Sequence, residues 1–235
     1  MSIGHALKHF YQQGILILLP HIKTTFGLTD IEIGFIGTSR AISSGVVNFP
    51  AAIITDLFRN RISIVLTVSL LCMALGYFFM GISNAYWIII LAAIITGGGA
   101  SLWHAPAYGT LAAVYPHQRA FALSFHRAGG TLGDTLSPII LGGLIGGFIV
   151  MRFLWGGIGW QYLSLLLAIP AVVGAALIYA YSRTRSTHKE FSGPTEYIHS
   201  VKSLLRNKDF IGILAINGVQ SLIFNALTIF MVIYM

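Results

Sequence analysis

Leu102-Trp-His-Ala-Pro-Ala-Tyr-Gly-Thr-Leu111 and His126-Arg-Ala-Gly-Gly-Thr-Leu-Gly-Asp-Thr-Leu-Ser-Pro138 decide the reading of this chain. Each lies inside an apolar segment long enough to cross a bilayer, which takes about 20 residues as a helix. Together they carry two histidines, an arginine and an aspartate. Ionisable groups are costly at membrane depth and mark an ion or substrate pathway there. The remaining sequence reads as a frame that holds these two segments side by side.

Composition agrees. Of the 235 residues, 56% are hydrophobic and only 9% charged, against about 25% charged in a soluble domain. The 26 glycines suit membrane helices, which use glycine more freely than soluble ones. The apolar runs are continuous rather than alternating, so the spans are helices and not barrel strands. The fold class expected is an all-α integral membrane protein. The lone Cys72 excludes an internal disulfide and any cysteine-based metal site. The net charge of +7 sits in short loops between apolar runs, the signature of membrane topology rather than of a nucleic-acid footprint. The opening Met-Ser-Ile-Gly-His-Ala-Leu-Lys-His9 lacks the basic flank, short apolar core and small-residue site of a cleaved signal peptide.

Seven candidate spans follow, at roughly 4–26, 32–55, 62–82, 85–114, 118–150, 159–182 and 209–235. With a cytoplasmic N-terminus, Arg59, Arg61, Arg119, Arg183, Arg185, Lys189, Lys202, Arg206 and Lys208 face the cytoplasm, while Lys23 and Arg152 face outward. Lys8, Arg40 and Arg127 fall within spans. That bias sets the orientation.

Several spans carry candidate chemistry. The first holds His5, Lys8, His9 and Gln12 at helical spacing on one face, with Gln13 beside them. This stripe is either a helix end whose side chains snorkel to the interface or a polar wall of a central cavity. Arg40 stands about 12 Å inside the second span, within reach of the interface by snorkelling. The second span closes on Asp56-Leu-Phe-Arg59-Asn-Arg61, where an acid and two arginines in a tight turn make a charge clamp. In the fourth span Gly97-Gly-Gly-Ala-Ser101 admits a neighbouring backbone, and Pro106 leaves the Leu102 carbonyl without its helical partner. Tyr108 follows His104. In the fifth, Gly129, Gly133 and Ser137 recur every fourth residue ahead of Pro138, a small-residue packing face. Arg127 and Asp134 share one side of that span but lie two turns, about 10 Å, apart. The short Tyr115–Arg119 loop makes the fourth and fifth spans antiparallel neighbours.

The Trp103-His104-x-Pro106 element, the Gly129-Gly130-x-x-Gly133-x-x-x-Ser137-Pro138 run and the Asp56-to-Arg61 turn fall on the fourth helix, the fifth helix and the loop after the second. In this they resemble the major facilitator superfamily, and the helical pair is similar to fosmidomycin-resistance-type exporters within it. The turn departs from the superfamily pattern at Ala52, Leu57, Arg59 and Asn60. Serine stands at Ser137 where the drug–proton antiporters of the superfamily carry glycine. The resemblance implies a six-helix bundle over 1–182, a cytoplasmic linker with an amphipathic helix over 183–208, and at 209–235 the first helix of a second, incomplete bundle. A transporter of this type has twelve helices, so the second bundle would come from a longer chain or from a partner subunit.

The function expected is secondary active transport, by alternating access, of a small, anionic organic molecule, coupled to protons, in a bacterial or archaeal cytoplasmic membrane. His9, Gln13, Arg40, His104, Tyr108, His126, Arg127 and Asp134 are the candidate substrate and proton pathway. Arg127 would attract the anion; Asp134 and the histidines would carry protons. Asp56, Arg59 and Arg61 are the candidate conformational clamp. The alternative is a non-transporting membrane subunit or scaffold. No enzyme is expected, because no nucleophile–base pair, metal-ligand cluster or phosphate loop occurs, and Gly97-Gly-Gly is no dinucleotide fingerprint. No cofactor, metal or nucleic-acid partner is expected; the partners are a small molecule, protons and the lipid bilayer.

Two outcomes follow from the sequence. Cysteines placed at Arg59 and Thr187 should react only with reagents on the cytoplasmic side, and one at Asn84 only from outside; outer-face labelling of position 59 in sealed cells would reverse the topology. Asp56→Asn should slow transport without impairing membrane insertion, and an unchanged rate would reduce Asp56 to a topology signal.

Overall fold

The structure, a computed structural model, describes residues 1–57, 61–147, 157–181, 199 and 202–234. Arg59 of the expected clamp, the Asp56 side chain and most of the expected 183–208 linker lie outside the described residues. The described secondary structure is helical, with no strand among the described residues. Residue contacts divide the chain into two units, Met1–Thr187 and His188–Met235.

The first unit contains α1 (Ser2–Phe26), α2 (Asp30–Leu57), α3 (Ile62–Gly81), α4 (Tyr86–Val114), α5 (Arg119–Gly146) and α6 (Trp160–Tyr181). By length and composition α3, α4 and α6 are apolar enough to cross a membrane; the ionisable side chains at issue are carried by α1, α2, α4 and α5. Local chemistry sets the ends. Gly27 closes α1 in the left-handed conformation at φ 63°, and the Leu28 N–H reaches the Lys23 carbonyl at 2.9 Å, a glycine C-cap. Thr29 and Glu32 open α2 as a reciprocal capping box, with the Thr29 N–H donating to Glu32 Oε2 at 2.8 Å and the Glu32 N–H to Thr29 Oγ1 at 3.4 Å. Pro20, Pro106 and Pro138 all sit inside continuous helices. Thr24 and Thr110 hydroxyls bond the carbonyls of Pro20 and Pro106.

The packing differs from the expected pairing in one respect. α5 lies along α1, and α4 lies along α2 and α3, with α3 also against α6. The loop-joined α4 and α5 are therefore not the principal pair. They meet through Tyr108 and His126, whose ring centroids are 5.6 Å apart. The reason is shape. A side chain at Gly129 would run into the Ser2 carbonyl, and one at Gly133 into the Ala6 carbonyl. The Ser137 hydroxyl donates to the Phe10 carbonyl at 2.9 Å. The small-residue face of α5 is thus filled by the backbone of α1. On α4 the glycine run plays the same part towards other helices. Gly97 faces the Arg40 backbone, Gly98 faces Ser43 and Val47, and Gly99 faces Cys72. The Ser69 hydroxyl donates to the Gly99 carbonyl at 2.6 Å. Between helices in lipid, where apolar surface gains little from burial, such close packing and hydrogen bonding supply the attraction.

The second unit is described over α7 (Lys208–Tyr234) and a short helical stretch at 202–206 before it, within the expected linker. Asn207 caps α7, its Oδ1 accepting the N–H groups of Asp209 at 2.9 Å and Phe210 at 3.3 Å. Ile213, Ile216, Val219 and Phe224 are exposed.

The glycine contact has a measurable consequence. Gly133→Ala should force α1 and α5 apart and cost roughly 1–3 kcal/mol, as overpacking does. Gly142→Ala, where a Cβ meets open space, should be neutral or slightly stabilising because alanine is the better helix former. Equal melting temperatures for the two variants in detergent would sink the close-approach explanation.

Candidate functional site

Three helices bring ionisable side chains to one place. From α1 come His5, Lys8 and His9, from α4 His104 and Tyr108, and from α5 His126 and Asp134. Their positions follow from helix periodicity. His5, Lys8 and His9 are spaced by three and one and so share the face of α1 that meets α4 and α5. Gly130 is what lets them in, since a Cβ there would press on the rings of His5 and His9.

The contacts form two linked groups. His9 Nδ1 lies 3.1 Å from both carboxylate oxygens of Asp134. Lys8 Nζ lies 2.8 Å from His104 Nε2. His5 Nδ1 donates to the His126 carbonyl oxygen at 2.8 Å, and the two imidazoles stack with centroids 4.1 Å apart. His5 bridges the groups, its ring edge-on to His9 at 4.5 Å and to His104 at 5.3 Å. Tyr108 stacks on His104 at 5.6 Å.

Burial within the first unit grades across the cluster. Lys8 is 1% exposed, His5 2% and His126 fully buried, whereas the side chains of His9 and Asp134 are 23% and 46% exposed. Among the described residues, five buried nitrogens have no hydrogen-bond partner: His5 Nε2, His104 Nδ1, both ring nitrogens of His126, and Trp103 Nε1. Each such group costs about 1–3 kcal/mol if left unmet, so the cluster is polar beyond what its own members satisfy. Near its edge a 440 Å³ cavity opens between the start of α1, the end of α4 and the start of α5. Met1, Ser2, Thr110, Gln118 and Phe125 are among its walls.

Of the residues expected from sequence, His9, His104, Tyr108, His126 and Asp134 come together. Arg127 does not. It follows His126 on α5, about 100° further round the helix, and is exposed. No ion pair to Arg127 forms among the described residues. Gln13 is half-buried and outside the network. Arg40 is also half-buried; its carbonyl abuts Gly97, with no side-chain hydrogen bond to the cluster among the described residues. Gly129, Gly133 and Ser137 act on α1 as described above, and Pro138 is exposed. Arg61 is exposed just ahead of α3.

The sequence reading placed His5 and Lys8 in a polar stripe but gave neither a place in the pathway. The structure places both within the polar cluster. Lys8 does not snorkel; its ammonium is turned inward onto His104. The signal was the spacing of the stripe, which becomes decisive only when α4 and α5 are known to lie on that face. A second difference concerns ligands for metals. One ring nitrogen from each of His5, His9 and His104 lies within 4.8 Å of the other two. This grouping was not foreseen because His104 is far from the other two in sequence.

Comparison with known proteins agrees with this architecture. The family model of the Major Facilitator Superfamily matches residues 1–235. The fosmidomycin resistance protein of Escherichia coli (strain K12) is 26% identical over 190 residues, covering 80% of this chain and 44% of that protein. A probable 4-methylmuconolactone transporter of Cupriavidus pinatubonensis (strain JMP 134 / LMG 1197) is 27% identical over 139 residues, 58% of this chain and 32% of its own length. Among solved structures, a bacterial homolog to the human lysosomal transporter Spinster, inward-facing and unoccupied, superposes with a TM-score of 0.66. It shares 22% identity and covers 82% of this chain and 43% of that one. The tetrameric PepTSo2 structure gives a TM-score of 0.60 at 15% identity, over 99% of this chain and 47% of its own. The chain spans less than half the length of these relatives. Its helices, its small-residue contacts and its match along the whole length make it a member of the major facilitator superfamily.

Proposed function

We propose that this chain is the first part of a secondary active transporter that moves a small anionic organic molecule across a bacterial or archaeal cytoplasmic membrane, coupled to protons. In this reading residues 1–182 form one six-helix bundle, 183–208 a cytoplasmic linker, and 209–235 the first helix of a second bundle. The two bundles rock about a central site, which is alternating access. The N-terminus lies in the cytoplasm, as the positive residues between spans favour. Asp56, Arg59 and Arg61 then form a cytoplasmic clamp that favours one state of the cycle.

The observation that carries this reading is the meeting of Lys8, His9, His104, His126 and Asp134 from three helices. Such groups are rare inside a membrane and face a water-filled path or one another when present. His9 and Asp134 are the more open members and border the substrate path. Arg127, Arg40, Gln13 and Tyr108 extend that path along α5, α2, α1 and α4. The relatives' names support small organic cargo: one is a resistance protein and one a probable lactone transporter.

An anionic cargo is favoured by Arg127. It stands about eight residues into α5 and lacks a carboxylate partner among the described residues. Asp134, two turns away on the same helix and engaged by His9, is not positioned to neutralise it. A bound anion is the simplest counter-charge. Truncating one partner of a desolvated charge pair costs about 2–5 kcal/mol, and 1.4 kcal/mol is tenfold in affinity.

The test uses the complete transporter in proteoliposomes, with fosmidomycin, 4-methylmuconolactone and carboxylate analogues as the first probes. An imposed proton gradient should drive accumulation of the cargo. Arg127→Gln should weaken cargo binding about tenfold or more. Arg127→Lys should recover only part, since lysine lacks the planar two-pronged donor. Wild-type affinity in Arg127→Gln would remove Arg127 from the anion site, and accumulation indifferent to the proton gradient would remove the coupling.

A further inference from the structure

We propose that His5, His9 and His104 form a binding site for a divalent transition-metal ion of the zinc type, and that the Lys8 ammonium holds this site in the resting protein. The argument begins with which ring nitrogens carry hydrogen. A carbonyl oxygen can only accept, so His5 donates to the His126 carbonyl through Nδ1; its Nε2 keeps a lone pair, buried and unpartnered. A carboxylate likewise accepts, so His9 donates to Asp134 through Nδ1, and its Nε2 keeps a lone pair. An ammonium can only donate, so His104 receives Lys8 through Nε2. Each of the three imidazoles therefore keeps one nitrogen able to accept, and the one on His104 is taken by a tethered cation, the Lys8 ammonium.

For His5 and His9 the surroundings match those of metal-bound histidines, while His104 Nδ1 is buried with no partner among the described residues. In metal sites the second ring nitrogen is held by a carboxylate or a backbone carbonyl, which fixes the tautomer and raises ligand basicity. His9 has the carboxylate of Asp134 and His5 the carbonyl of His126. His5 and His9 are four apart on α1 and so project from one face. One ring nitrogen of each histidine already lies within 4.8 Å of one from each of the other two. Zinc–nitrogen bonds of about 2.0–2.1 Å in a tetrahedron need separations near 3.3 Å. Ring rotations closing about 1.5 Å would complete the site, with the fourth position open to water or a ligand atom. Imidazole favours zinc, nickel and copper over magnesium or calcium, which prefer oxygen.

Lys8 is the opposing element. Its ammonium occupies His104 Nε2, so metal and lysine exclude one another there. Asp134 supplies the compensating negative charge. The site shares His9 and His104 with the pathway proposed above. Its test needs no cargo, however, so the two readings fail separately.

The experiment is equilibrium dialysis of the detergent-purified protein against Zn²⁺, with Mg²⁺ as control and metal content measured by atomic emission. Co²⁺ uptake followed by visible absorption reports coordination geometry. One zinc per chain, with no retained magnesium, is expected. His5→Gln combined with His104→Gln should abolish uptake. Asp134→Asn, a positioning residue here, should weaken it roughly 10–100-fold. Lys8→Met should tighten it roughly tenfold or more, a gain that misfolding cannot produce; the size of that gain is set by one lost competing contact of about 1.4 kcal/mol or more. Zinc bound by Lys8→Met at least as tightly as by the wild type and in excess of the double glutamine variant, with the tetrahedral cobalt spectrum, supports the site. Uptake by Lys8→Met no greater than by the double variant overturns it, as does a Lys8→Met affinity weaker than that of the wild type.

Discussion

The close approach of α1 to α5 is the constraint on which the first unit depends. It exists because Gly129 and Gly133 leave no side chain between the helices, and the Ser2 and Ala6 carbonyls take that space. Ser137 then fixes the register by donating to Phe10. In lipid, where burying apolar surface between helices gains little, contact this close is the main source of attraction. The polar contacts between α1 and α5 inherit their geometry from it. His9 reaches Asp134, and His5 lies flat on His126, only because the two backbones are near enough for short side chains to span the gap.

That geometry creates an interior network whose members are unequally satisfied. Asp134 and His9 are paired and partly open, while His5, His104 and His126 keep buried nitrogens without a partner among the described residues. A buried polar network is stabilising when complete and costly when incomplete. Within the apolar bundle it is therefore a costly feature, which is the physical ground for the role proposed above. The cluster lies between helices of a single unit, so its internal contacts are set within the first six helices. The open edge at His9 and Asp134 is the part available to whatever faces the unit from outside.

The glycines of α4 serve the other side of the same unit. Gly97 and Gly98 seat α2 through the Arg40 backbone, Ser43 and Val47, and Gly99 seats α3 at Cys72. α4 can therefore carry His104 and Tyr108 towards α1 and α5 while its opposite face is held by α2 and α3. A helix gripped on two sides by backbone contacts offers a rigid mount for His104, the residue that the cluster draws from farthest along the chain.

The sequence by itself determined the class of the protein and several members of its polar cluster. Long uninterrupted apolar runs leave helices as the only economical way to satisfy backbone groups in lipid, and low charge made the few ionisable side chains within those runs conspicuous. His9, His104, His126 and Asp134 were legible for that reason, and Gly133 and Ser137 because their fourfold spacing marks one helix face. Tertiary structure alone decided which helices meet. Loop length suggested that the fourth and fifth spans pair, but steric fit between small residues and backbone assigned α5 to α1. It also separated His126 from Arg127, neighbours in sequence, because 100° of helical rotation sends one inward and the other out. Lys8 illustrates the limit most clearly. A lysine near a helix end reads equally as a snorkelling side chain or a buried cation. Only the arrival of His104 from a helix nearly a hundred residues away gives its ammonium an acceptor at 2.8 Å and keeps it inside.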